Sequence, residues 1–196
     1  MANNTGGSAV GTSAVTVSRS GTLGGNGTIG GATTIASGGL LMPGSGGVGA
    51  LTFSNGLTLA DGSTTTFLIN GNNSFTSINI NGGNVQFGGA LNLDITSSLT
   101  SGLFSLFNLS NGATESGNFS TVYLTGIYSG VMTYYDASWT WFWKSNSDYN
   151  GNQITAELNM ETGALTVAAI PEPSTYALLG LGALALIVAY RRKKAA

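Results

Sequence analysis

Seven carboxylates precede residue 171: Asp61, Asp94, Glu115, Asp136, Asp148, Glu157 and Glu161. Two of them could serve as acid and base on a glycosidic bond if the fold held them roughly 5–10 Å apart. Only Arg19 and Lys144 oppose them before the C-terminal tail, and the sequence contains no histidine and no cysteine. A Ser-His-Asp triad, a thiolate nucleophile, an imidazole metal site and a zinc knuckle are thereby excluded. The sequence also lacks a D-x-D-x-D-G loop and a G-G-x-G-x-D repeat, the usual calcium signatures. Asp61 and Asp94, each beside a turn or strand edge, read as solvated groups, and the others read alike. The expectation is a chain with no catalytic residue, no metal and no cofactor, and not an enzyme.

Binding chemistry is more visible. Trp139, Trp141 and Trp143 are the three tryptophans, and they alternate. In a strand, alternate residues share a face, so all three would line one side. Such a stripe packs a core or cap in the bland reading, because indoles bury large areas. Stacking on sugar rings of an extracellular polysaccharide is the alternative. Thr64, Thr65 and Thr66 invite an ice-binding face, which would require a T-x-T register repeated from strand to strand; threonine is also a common strand residue. A nucleic-acid partner is excluded by a net charge of −2 and the lack of a basic patch in the body of the chain.

The C-terminus carries the densest signal. Pro171-Glu172-Pro173 is followed by the uncharged stretch Ser174 to Tyr190 and then by Arg191, Arg192, Lys193 and Lys194. As a helix, 174–190 would be roughly 25 Å long, at the short end of a membrane span. Tyr176 and Tyr190 stand where interfacial aromatics belong, and the basic anchor at 191–194 would stay cytoplasmic. Proline fixes φ and bars helix at the residue before it, so 169–173 should be an extended, exposed linker.

The elements that must position these groups are short strands. Charged residues make up only 7% of the chain and glycines number 31. Val17, Leu23, Ile29, Ile35 and Leu41 recur every six residues, and LTL, FLI, INI, VQF and LNL follow between 57 and 93. Their period of two marks strands with one buried face, and Asn-Gly, Asp-Gly and Gly-Gly pairs between them supply turns. Strands this short cannot bury a face alone, so the spacing predicts a solenoid over 15–99 with coils of about 20 residues. Leu57, Leu59, Ile78, Ile80, Val85 and Phe87 should point inward, and Thr58, Asn79 and Gln86 outward. Residues 100–168, richer in aromatics, read as a C-terminal β cap. Residues 1–14 lack the basic and apolar regions of a secretory signal and read as the disordered start of a truncated chain.

Two resemblances attach to these motifs. The order Pro-Glu-Pro, apolar stretch, basic cluster over 169–196 resembles the PEP-CTERM sorting signal of exopolysaccharide-producing Gram-negative bacteria. The same tail is similar to the region called the ice-binding protein C-terminal domain, a name that does not itself imply ice binding. The stretch SGTLGGNGTIGGATTIASGGLLMPGSGGVGALTFSNGLTLADGST (20–64) resembles the autotransporter-associated β-strand repeat. The first implies a transient exosortase partner, a membrane transpeptidase that recognises Pro171-Glu172-Pro173. The second implies a right-handed parallel β-helix at the cell surface.

The reading is an all-β chain, a parallel β-helix with a β cap followed by one transmembrane helix. Its function would be that of a non-enzymatic surface or biofilm-matrix protein. It would pass through the inner membrane as a single-pass intermediate with a cytoplasmic C-terminus, then reach the envelope or the medium. The alternative is a carbohydrate- or ice-binding module at the cell surface.

Overall fold

Three columns of short parallel strands wind around one narrow core. The computed structural model describes residues 1–99, 101–145, 153–170, 178–185, 187 and 190. The first column stacks β1 (Val15–Val17), β4 (Thr33–Ile35), β7 (Leu57–Leu59), β10 (Asn84–Phe87) and β14 (Thr114–Gly117). The second stacks β2 (Thr22–Gly25), β5 (Leu40–Pro43), β8 (Thr64–Gly71), β11 (Ala90–Ile95) and β15 (Thr121–Gly126), with β16 (Gly130–Val131) antiparallel on its last edge. The third stacks β3 (Thr28–Ile29), β6 (Gly49–Phe53), β9 (Ser74–Asn81) and β13 (Phe107–Ser110). The fold is a β-solenoid of about four turns.

Alternation decides which residues face in. Val17, Ile35, Leu59 and Phe87 form one buried row, Leu51, Ile78 and Phe107 another. The six inward positions expected between Leu57 and Phe87 are all buried, while Thr58 and Asn79 are half-buried and Gln86 is exposed. Corners repeat as well. Ser20, Gly38, Gly62 and Gly89 all have positive φ where the first column gives way to the second. Ser20 N–H bonds the Gly38 carbonyl and Gly38 N–H bonds that of Gly62. Three of these four are glycine because a Cβ disfavours left-handed backbone.

Coil length departs from the expected 20 residues. Along the first column Val15 faces Thr33, Thr33 faces Leu57, Leu57 faces Val85 and Asn84 faces Thr114, steps of 18, 24, 28 and 30 residues. The extra residues lie in β8 and β9, which run to eight residues and meet in an antiparallel pair, and in β12, inserted between β11 and β13.

The change of texture near residue 100 does not end the solenoid, since β13, β14 and β15 add another strand to each column. The cap is a separate antiparallel sheet in the order β12-β20-β19-β18-β17. Its strands are β12 (Gly102–Ser105), β17 (Thr133–Tyr135), β18 (Thr140–Lys144), β19 (Gln153–Asn159) and β20 (Ala164–Ile170). β12 interrupts the fourth coil between β11 and β13 and pairs with β20, so the cap is stitched into the solenoid. The N–H groups of Leu106 and Phe107 both bond the Gly163 carbonyl at the β19–β20 turn. Phe104, Leu106, Leu158 and Leu165 continue the solenoid's core into the cap.

Both ends of the chain differ from expectation. Residues 1–14 are not a disordered start: Ala2 is buried, its N–H bonds the Gly24 carbonyl, and its carbonyl accepts from Gly27. Asn4 Oδ1 accepts from Thr28 N–H and Ser8 Oγ from Gly30 N–H, so the segment covers the first coil's open edge. At the other end, helix is present at 178–185 and at 187 and 190. No helix among the described residues is long and apolar enough to cross a membrane. Gly180 and Gly182 within 178–185 weaken helix propensity. The expected continuous span over 174–190 is therefore not what the described residues show. Residues 174–177, 186, 188–189 and 191–196 lie outside them.

Candidate functional site

The sorting segment begins where the last strand stops. Ala169 and Ile170, expected in an exposed linker, instead pair with Ile154 and Gln153 as the end of β20. Ile170 is exposed. The next residue by sequence is Pro171, which has no N–H to offer a ladder. Pro171, Glu172, Pro173, Tyr176 and Arg191 to Lys194 lie outside the described residues, while Tyr190 is an exposed helical residue.

The three tryptophans do not form one stripe. Trp141 and Trp143 share a face of β18, but Trp139 precedes the strand and closes a 3-10 turn (Asp136–Ser138) with φ 49° and ψ 42°. Trp141 is buried, donates its indole N–H to Asn118 Oδ1 at 3.1 Å and packs on Tyr134 with centroids 5.0 Å apart. Trp143 is half-buried against Tyr128, with ring centroids 6.1 Å apart, and its indole nitrogen lies over Gly130. A Cβ at Gly130 would collide with that ring, and its φ of 152° also favours glycine. Trp141 and Trp143 therefore pack the cap. Trp139 alone is exposed, at 42%.

The carboxylates separate in the same way. Asp94, on β11, accepts from Thr125 Oγ1 at 3.2 Å. Asp136 lies 3.5 Å from the Tyr134 hydroxyl. Burial, then the charge and hydrogen bond of Asp136, push the Tyr134 phenol above its ordinary value. Glu157 is exposed on β19, Asp61 occupies a corner, and Asp148 lies outside the described residues. Glu115 and Glu161 are brought together: with Ala137, Ser138 and Trp139 they line a recess of about 370 Å³ between β14, the 3-10 turn and the β19–β20 turn. Sequence spacing hid this pair. The usable signal was Glu115 itself, an acid at an inward register position opposite Val85. Among the described residues no group of three or more His, Cys, Asp or Glu is placed to hold a metal ion.

Thr64, Thr65 and Thr66 give no repeated T-x-T face. Thr64 and Thr66 face outward, but Thr65 is buried. On neighbouring strands Leu40 stands against Thr64, and Ala90 and Asn92 stand against Thr64 and Thr66. A T-x-T register on β8 alone cannot match an extended lattice.

A family profile described as the PEP-CTERM protein-sorting motif matches residues 169–193. Neither a curated protein nor a solved structure matches the chain. The matched motif implies an exported protein of the cell envelope or extracellular space, sorted with an exosortase as its processing partner.

Proposed function

We propose that the chain is a non-enzymatic surface or matrix protein whose β-solenoid is released at Pro171-Glu172-Pro173 by an exosortase. One observation carries this reading: the sorting motif begins at residue 169 and β20 ends at Ile170, so the motif directly abuts the folded sheet. A cut there removes the tail and leaves every strand in place. The uncharged stretch 174–190 and the cluster Arg191 to Lys194 bring the tail to the membrane surface, where each cation near an anionic leaflet contributes about 1 kcal/mol. Glu172, between two prolines, is the charged group a processing enzyme would read. The non-enzymatic part rests on a sequence without His or Cys.

The test is Glu172→Ala in the chain expressed behind an export signal in a host bearing an exosortase. The substitution leaves the apolar stretch and basic cluster unchanged. Blots of fractionated cells should show wild type released in a form shorter by about the mass of the tail, and the variant retained at full length. Release of the variant as efficient as that of wild type would reduce Pro171-Glu172-Pro173 to a linker. The ice-binding alternative has no repeated T-x-T register to rest on: Thr16, Thr34 and Thr58 stack one per strand, and the row ends at Gln86. The carbohydrate alternative has one specific feature in its favour, the exposed indole of Trp139.

A further inference from the structure

The geometry points to the recess of Trp139, Glu115 and Glu161 as a binding site for an amine-bearing saccharide. Its construction is unlike the rest of the surface. The inward row Val15, Thr33, Leu57 and Val85 is uncharged and ends in Glu115. A charge at that position guards the open edge of β14 against a further strand, but edge protection needs nothing opposite it. Opposite it stand Glu161 and the exposed ring of Trp139.

Trp139 differs from its neighbours. Trp141 and Trp143 are each engaged with a tyrosine ring, whereas Trp139 pairs with no other ring among the described residues. Its backbone is nevertheless tied on both sides, by its N–H to the Asp136 carbonyl and its carbonyl to the Met160 N–H. An open aromatic face is thus held in a fixed position beside two carboxylates. The recess of about 370 Å³ lies at the small end of the range for small-molecule sites.

The charge balance selects the ligand. Among the described residues, two acids and no cation line the recess. An ammonium over an indole gains a cation–π attraction, and charge-assisted hydrogen bonds to carboxylates are the stronger kind. A glucosamine-type sugar presents both an apolar ring face for the indole and an ammonium for Glu115 and Glu161. An acidic or sulfated glycan would meet like charge. Binding here is independent of how the tail is processed.

The experiment titrates the full-length chain calorimetrically with three probes: a glucosamine hexamer, an N-acetylglucosamine hexamer and hexalysine. The glucosamine hexamer should bind. Its Kd should rise about tenfold or more for Glu115→Gln, Glu161→Gln and Trp139→Ala, and less for Trp139→Phe, with unchanged thermal transitions as the control for folding. Affinity should fall as salt rises from about 20 to 200 mM, as screening requires. Equal binding of the neutral hexamer would overturn the charge argument. Hexalysine binding that survives Trp139→Ala would reduce the site to an acidic patch. No binding of the glucosamine hexamer, or its hydrolysis, would overturn the assignment as a binding site.

Discussion

Phe107→Ala should be the most damaging single truncation in the β-domain. Phe107 opens β13, is 1% exposed, and lies at the junction of the fourth coil and the cap. Its ring stands edge-on to Phe67 at 5.0 Å and to Phe87 at 4.9 Å, with Phe119 at 6.0 Å. Truncating a buried phenylalanine costs about 3–5 kcal/mol, and each aromatic pair adds about 0.5–1.5 kcal/mol beyond area. With three such neighbours the loss belongs at the upper end, about 5 kcal/mol. That is a third or more of a stability of about 5–15 kcal/mol. In a chain ended after Ile170, urea unfolding can be followed by two probes. Tryptophan emission reports the cap, because all three tryptophans lie in 139–143, and far-ultraviolet dichroism is dominated by the solenoid. At a slope of about 2 kcal/mol per M, the midpoint should fall by about 2.5 M in both signals together. A shift below about 0.5 M would refute the packing argument. A shift in dichroism with tryptophan emission unchanged would show that the cap does not share the solenoid's core.

Two further outcomes follow from single atoms. Thr65 faces inward between Leu41 and Leu91, and its buried hydroxyl has no hydrogen-bond partner; Thr65→Val should stabilise the domain by about 1 kcal/mol, and equilibrium unfolding that shows a loss would contradict this. The raised phenol of Tyr134 means that the folded state holds its proton to higher pH than the unfolded chain does. Its contribution is complete below about pH 10 and is lost as pH rises through the folded value. Stability should decline above about pH 10, and Tyr134→Phe should flatten that decline; an unchanged alkaline limb would count against Tyr134 as its source.

The hexad Val17, Leu23, Ile29, Ile35 and Leu41 was legible because each residue supplies one inward position on one short strand, and three hexads complete the first coil of 18 residues. Later coils were not, because β8 and β9 each run to eight residues and then meet in an antiparallel pair at Ile69 and Phe75. Alternation says which face a residue takes, not where a column ends. Hence 100–126 read as cap although β13, β14 and β15 continue the columns. The tail motif was legible in full, since it is a local pattern. The recess was not, because Glu115 and Glu161 belong to a solenoid strand and a cap turn and meet only through the β12 crossover and the turn at Gly163. Alternation in 139–143 likewise held for Trp141 and Trp143. It failed at Trp139, whose left-handed backbone takes it out of the strand.

The place of β20 has a mechanical consequence. The last strand of the domain is an interior strand of its sheet, with β12 on one flank and β19 on the other. A tether attached through the tail therefore pulls on a strand held from both sides. Force applied along β20 loads its bonds to both neighbours at once, in shear, instead of parting them one after another as at a sheet edge. Drag on a tethered domain would then be borne by the whole cap, and through the Gly163 carbonyl and Phe107 it would pass into the widest coil of the solenoid. Cutting at the motif leaves Ala164 to Val167 clamped between β12 and β19, with Ala168 to Ile170 held by β19 alone at the new terminus.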